Sequence, residues 1–306
     1  MGKTLVQELG WYTASVGKKT FVVILYVILL LTIPILIYIV NLHKADTAQS
    51  PKAPKKSAVF SVHPTPTPYI FTSYNPPKIA QKDVYKIAMI GDSMTAALGP
   101  HGGGMSEYMN DLYKSGKNNQ RIIIDNYAIS SNILAVDNQL DQRTRISEYI
   151  FGPLMSTDYD AILIESFGYN PLSQFGIEEG IKKQNETLDK LMEKLITKRP
   201  NAVVIFIATI APNIANFGRS TQVTNTSEDR KKQAEERIAY LKNHIEYAIK
   251  HGMPLVNIYE KSLTANGDGN LKYINANDDI HPSFAGITFI GEEAGNYIYD
   301  TKILIP

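Results

Sequence analysis

Five short apolar runs separated by helix-patterned stretches constrain this chain more than any other feature. Tyr85–Ile90 (YKIAMI), Arg121–Asn126 (RIIIDN), Ala161–Glu165 (AILIE), Val203–Ile207 (VVIFI) and Leu255–Ile258 (LVNI) are strand candidates. Between them lie segments of 3.6-residue spacing. In Ile177–Arg199, the residues Ile181, Leu188, Leu191, Met192, Leu195 and Ile196 fall on one helical face. Ser227–His251 opens with a Ser227-Glu228-Asp229-Arg230 cap, acidic in its first turn, and Gly252 follows as the stop. Strand and helix in repeated alternation predict an α/β fold with a parallel sheet covered on both faces. Ligands in such folds sit at the carboxyl ends of the strands.

The 306 residues suit one large domain or two small ones. A formal net charge of +1 excludes a basic nucleic-acid footprint, so no nucleic-acid partner is expected. With 44% hydrophobic and 20% charged residues the chain can bury a core. It has no cysteine, which removes disulfides, thiolate metal sites and cysteine nucleophiles together.

Thr20–Val40 reads TFVVILYVILLLTIPILIYIV, without a charge. As a helix it is about 30 Å long, the thickness of a bilayer core. A buried core helix rarely lacks a polar face over such a length. A cleavable signal would have a shorter apolar region. The reading is one transmembrane helix, a signal anchor over residues 20–40. Lysines flank both ends, so charge alone does not orient it. The short tail 1–19 is taken as cytoplasmic, with the main domain outside. Residues 41–83 read as a linker holding seven of the 16 prolines, a semi-rigid spacer. Residues 84–306 form the main domain.

Chemistry-bearing residues follow the strands. Gly91-Asp92-Ser93 comes directly after the first, where a serine is exposed at the ligand edge of the sheet. Asp278-Asp279-Ile280-His281 lies near the far end. An aspartate three residues before a histidine can bond one imidazole nitrogen and aim the other at a serine. Serine needs that base because its hydroxyl is a weak nucleophile. Gly168-Tyr169-Asn170 follows the third strand, and an asparagine amide can donate to a developing oxyanion. The turn Asn126-Tyr127-Ala128-Ile129-Ser130-Ser131 offers a further backbone N–H.

These four blocks, in this order, resemble the SGNH/GDSL hydrolases over residues 84 to 300. The resemblance implies a three-layer α/β/α flavodoxin-like fold. It implies Ser93 as nucleophile, His281 as general base and Asp278 as its orienting acid. It further implies an oxyanion hole from the Ser93 N–H, the Ser131 N–H and the Asn170 side chain. Asp279 is not the acid in that pattern. Glycines usual in the second block are here Ala128 and Ser131, so a positive φ would cost energy. Pro171 stands where aspartate often follows the asparagine.

Three further signals carry less. His101-Gly102-Gly103-Gly104 follows Ser93 rather than preceding it and reads as a flexible loop edging the site. Asn266–Asn270 resembles a calcium loop, but Leu271 and Asn277 occupy positions that need glycine and glutamate. Of the 18 tyrosines, Tyr169 could line a sugar site, with core packing the use of most others.

The resulting expectation is a membrane-anchored serine esterase at the cell surface. It would act on a small ester, a lipid or an O-acetylated glycan and need no metal or organic cofactor. A stalk-borne glycan-binding module and an acyltransferase are the alternatives.

Overall fold

The computed structural model describes residues 71–114, 119–131, 133–134, 145–146, 149–150, 154–221 and 225–306. The expected anchor 20–40 and tail 1–19 lie outside the described residues. Among the described residues no helix is long and apolar enough to cross a membrane.

The strands are β1 (Val84–Ile90), β2 (Arg121–Asn126), β3 (Arg145–Ile146), β4 (Tyr149–Ile150), β5 (Ala161–Glu165), β6 (Val203–Ala208) and β7 (Leu255–Asn257). Five of them form one parallel sheet in the order β2-β1-β5-β6-β7. β3 and β4 make a separate antiparallel pair. The helices are α1 (Ser93–Ala96), α2 (Gly104–Lys114), α3 (Ile177–Lys198), α4 (Ser227–Lys250), α5 (Ile258–Lys261) and α6 (Phe284–Asp300).

Alternation along the strands sorts the core into two layers. Ile87, Met89, Ile124, Leu163 and Ile205 face Met105 and Met109 of α2 and Ile290 and Ala294 of α6. Ala88, Ile90, Ile162, Ile164 and Phe206 face Leu188, Leu191, Met192 and Leu195 of α3, together with Tyr247 and Ala248 of α4. β5 and β6 are buried along their whole length because both faces are covered. The expected parallel five-stranded sheet is therefore present, with helices on both sides. β1 lies between β2 and β5, so the strand order reverses there. The crevice of a doubly wound sheet opens at such a point.

Four local readings change. α4 is capped by Thr226, one residue earlier than the sequence suggested. Its hydroxyl accepts from Asp229 N at 3.1 Å while the Asp229 carboxylate returns a bond to Thr226 N at 3.2 Å. The fifth strand stops at Asn257, whose side chain accepts from Glu260 N at 3.2 Å and starts α5. On α3, Gly180 and Gln184 take core positions while Ile181 is half-buried. Tyr240 holds position 180 to glycine, because its hydroxyl would lie 2.0 Å from a Cβ there. His101–Gly104 is a tight turn into α2, with Gly102 and Gly103 at φ +70° and +52°, packed on Ile124 and Leu98.

Residues 71–83 are packed on the domain. Phe71 and Ile79 are buried in its two core layers. Phe71 lies 5.2 Å from the His251 ring, and Tyr74 bonds to His251 O and Val204 N, both at 2.8 Å.

Candidate active site

β1 ends at Ile90, and the chain turns through Gly91 into α1. Asp92 caps that helix, its Oδ1 accepting from Met94 N at 2.9 Å. Ser93 is the first helical residue and half-buried. Gly91 is required by crowding: a Cβ there would lie 2.5 Å from Thr95 Oγ1 and 2.8 Å from Glu165 Cβ.

β2 delivers the second block. Asn126 Nδ2 donates to Thr95 O at 2.8 Å and to Gly99 O at 2.9 Å, and its Oδ1 accepts from Ala128 N at 3.0 Å. Ile129 N reaches Gly91 O at 3.2 Å. The turn is thereby tied to both ends of the Ser93 segment. Ser131 is exposed and sits at φ +61°, the conformation anticipated as costly for a non-glycine residue.

β5 delivers the third block. Phe167 takes φ +52°, and Asn170 N closes the turn on Phe167 O at 3.2 Å. Asn170 Nδ2 donates to Asp92 Oδ2 at 3.0 Å. Tyr169 is buried, bonded to Ile210 O at 3.0 Å and packed against Phe217, so it serves the core rather than an open sugar site.

The fourth block lies in a closed loop. Ile274 pairs with Pro282, and Asn275 N bonds to His281 O at 2.8 Å. Within it, Asp278 Oδ1 accepts from Ile280 N at 2.8 Å and His281 N at 2.9 Å. Its Oδ2 lies 2.9 Å from His281 Nδ1. Burial raises the Asp278 carboxyl, but these three bonds outweigh it and hold the group below its ordinary value. Asp279 turns the other way at φ +57°, accepting from Ser220 N at 3.0 Å and from the Ser220 hydroxyl at 2.6 Å. Ser283 then caps α6 through Gly286 N at 3.1 Å.

The structure joins Asp278 to His281 and Asn170 to Asp92. The imidazole bonds to Asp278, and among the described residues no hydrogen bond joins it to Ser93 Oγ. Such bonds are often long before substrate arrives.

A model of the GDSL-like lipase/acylhydrolase family matches residues 89–287, the stretch that holds all four blocks. The chain belongs to this family. A GDSL-like lipase by description, from Parabacteroides merdae, shares its fold at 16% identity and a TM-score of 0.51, over 74% of this chain and 100% of that one. An acetyl xylan esterase, AlAXEase, aligns at 14% identity and a TM-score of 0.48, over 70% and 100%. A lipase/acylhydrolase from Enterococcus faecalis aligns at 17% and 0.46, over 70% and 95%. No curated protein sequence matches the chain.

Members of the GDSL family are typically ester hydrolases. Among the described residues no group of three His, Asp or Glu side chains gathers as a metal site would. Asp268 of the calcium-like loop spends one carboxylate oxygen on Ile214 N at 2.7 Å and Gly269 N at 2.9 Å.

Sequence reasoning missed Glu165 and Arg237. Glu165 is 2% exposed beneath the Ser93 turn. Arg237 on α4 lies over the Phe217 ring, 5.2 Å from its centroid, and its charge acts on Asp92 and Tyr169. A carboxylate closing an otherwise apolar strand was the signal available for Glu165. Arg237 had none, since it reads as one more charge on a polar helix.

Proposed function

We propose that this GDSL-like chain is a serine ester hydrolase anchored to the cell membrane by residues 20–40, its catalytic domain outside. Ser93 Oγ attacks the ester carbonyl, and His281 Nε2 takes its proton. Asp278 holds the imidazole by Nδ1 and stabilises the imidazolium. The tetrahedral oxyanion is met by the Ser93 N–H, the Ser131 N–H and the Asn170 amide. The acyl-serine is then hydrolysed by water that His281 activates. The substrates are esters of the cell envelope, either O-acetyl groups on glycans or lipid esters.

The observation that carries this reading is the Asp278–His281 pair, with Nδ1 engaged and Nε2 left for a hydroxyl. The test is hydrolysis of p-nitrophenyl esters from acetate to octanoate by the full chain and its Ser93→Ala variant. Activity lost in the variant supports the proposal, and the chain-length profile separates deacetylation from lipolysis. Equal background rates would indicate a binding module. Acyl transfer to an added sugar in place of release would indicate a transferase.

A further inference from the structure

Helix α4 carries two arginines that the proposed reaction does not use. Arg230 and Arg237 stand two turns apart on one face, about 10 Å along the helix. Each guanidinium is anchored through Nη1 on a backbone carbonyl. Arg230 donates to Asn225 O at 2.6 Å and Arg237 to Gln233 O at 3.0 Å. Nε of both, and Gln233 Oε1 between them, are buried without a hydrogen-bond partner. Such atoms are costly to leave unmet. Among the described residues, Nη2 of neither arginine makes a hydrogen bond.

Packing brings this face to the site. Leu241, one turn after Arg237, lies against Gly168, where a Cβ would be 3.0 Å from its Cγ. The Tyr240 hydroxyl accepts from Leu172 N at 3.1 Å, and Glu236 accepts the Ser173 hydroxyl at 2.9 Å. Leu172 and Ser173 directly follow the Asn170 turn. On its other side Arg237 lies over the Phe217 ring, and Gly218 N bonds to Asp279 O at 3.2 Å. Arg237 therefore sits between the turn that carries Asn170 and the segment that holds the Asp278–His281 loop. α4 runs from the carboxyl end of β6 back to the start of β7, so Arg230 extends the line outward from the sheet.

Charges on the outer faces of α4 are matched, Lys231 with Glu235 and Lys232 with Glu228, each at 3.9 Å. On the inner face the balance is uneven. Among the described residues, Glu236 is the sole carboxylate paired with either arginine, 3.4 Å from Arg237 Nη1, and it is shared with Ser173. We infer that Arg230 and Arg237 form a subsite for anionic groups of the substrate, which is an acidic glycan bearing carboxylate or phosphate. This inference rests on the serine-esterase reading above and adds the charge of the polymer that carries the ester. An anchored guanidinium presents planar donors that match either anion. Two of them about 10 Å apart suit a chain of repeating charge, whereas a single lipid headgroup reaches only one.

The experiment titrates the full chain carrying Ser93→Ala, in detergent, with polygalacturonate, neutral dextran and monomeric dihexanoylphosphatidylglycerol. Polygalacturonate should bind at least about tenfold more tightly than dextran and lose that margin as salt rises. Arg230→Gln and Arg237→Gln should each weaken it about tenfold, as loss of one charge-assisted bond does. If Arg237→Gln does not fold, Arg230→Gln, nearer the helix end, decides alone. Equal affinity for polygalacturonate and dextran would overturn the inference. So would unchanged affinity in Arg230→Gln. Lipid binding tighter than polymer binding, and lost in Arg230→Gln, would overturn the glycan assignment in favour of a phospholipid. The chain with Ser93 intact is then given O-acetylated polygalacturonate. Acetate release is expected, with KM raised about tenfold by Arg230→Gln. Binding without acetate release would overturn the esterase reading and leave the anion subsite standing.

Discussion

Asp278 Oδ2 lies 2.9 Å from His281 Nδ1, while Oδ1 of the same carboxylate accepts the backbone N–H groups of Ile280 and His281. One carboxylate thus sets both the loop and the ring. The side chain of Asp279, the next residue, reaches outward instead, to Ser220 and its neighbour Arg219.

Exchanging each aspartate separates these two jobs. Asp278→Ala is expected to lower kcat by about 10³-fold or more with little change in KM. Asp279→Ala is expected to cost about 1–3 kcal/mol of stability, from the bonds lost around Ser220, with kcat kept near the parent value. Steady-state kinetics beside denaturant unfolding check both.

Ser131 at φ +61° gives a prediction of opposite sign. Ser131→Gly keeps the backbone N–H and removes the left-handed strain. It should raise stability by about 0.5–1 kcal/mol and leave ester hydrolysis intact. A drop in the unfolding midpoint would contradict this account of the turn.

His244 is buried without a hydrogen bond of normal geometry on either ring nitrogen, although the Ile164 carbonyl lies near. It stacks on Phe206 with ring centroids 4.5 Å apart. Burial pushes its pKa down from 6.5 to about 3. The unfolded chain takes up this proton near pH 6.5, the folded chain only near pH 3. Between those values the unfolded state binds more protons, so stability falls as pH falls. His244→Phe keeps the ring stack and should move the acid-unfolding midpoint to lower pH.

The parallel sheet was legible because β5 and β6 are apolar throughout, and β1 and β2 keep apolar residues where the pleat faces the core. Asp278 and His281 were legible because they stand three positions apart and one tight loop joins them. What sequence could not show depends on long-range contact. The Asp92–Glu165 pair joins residues 73 apart in the chain. Phe71 looked like part of a proline-rich spacer, and only the fold brings it onto His251.

That last contact makes its own prediction. Phe71→Ala should cost about 3 kcal/mol, as loss of a buried aromatic does. A chain beginning at Val84 should unfold at a lower temperature than one beginning at Thr67. Equal midpoints would show that residues 71–83 contribute nothing to the fold.

The most direct test of Ser93 as an activated nucleophile is covalent trapping. The full chain would be treated with an alkyl fluorophosphonate and mapped by peptide mass. One adduct on Ser93 is expected, formed at least about 10²-fold more slowly in His281→Ala. Ester hydrolysis with no adduct, or with the adduct on another residue, would contradict the account.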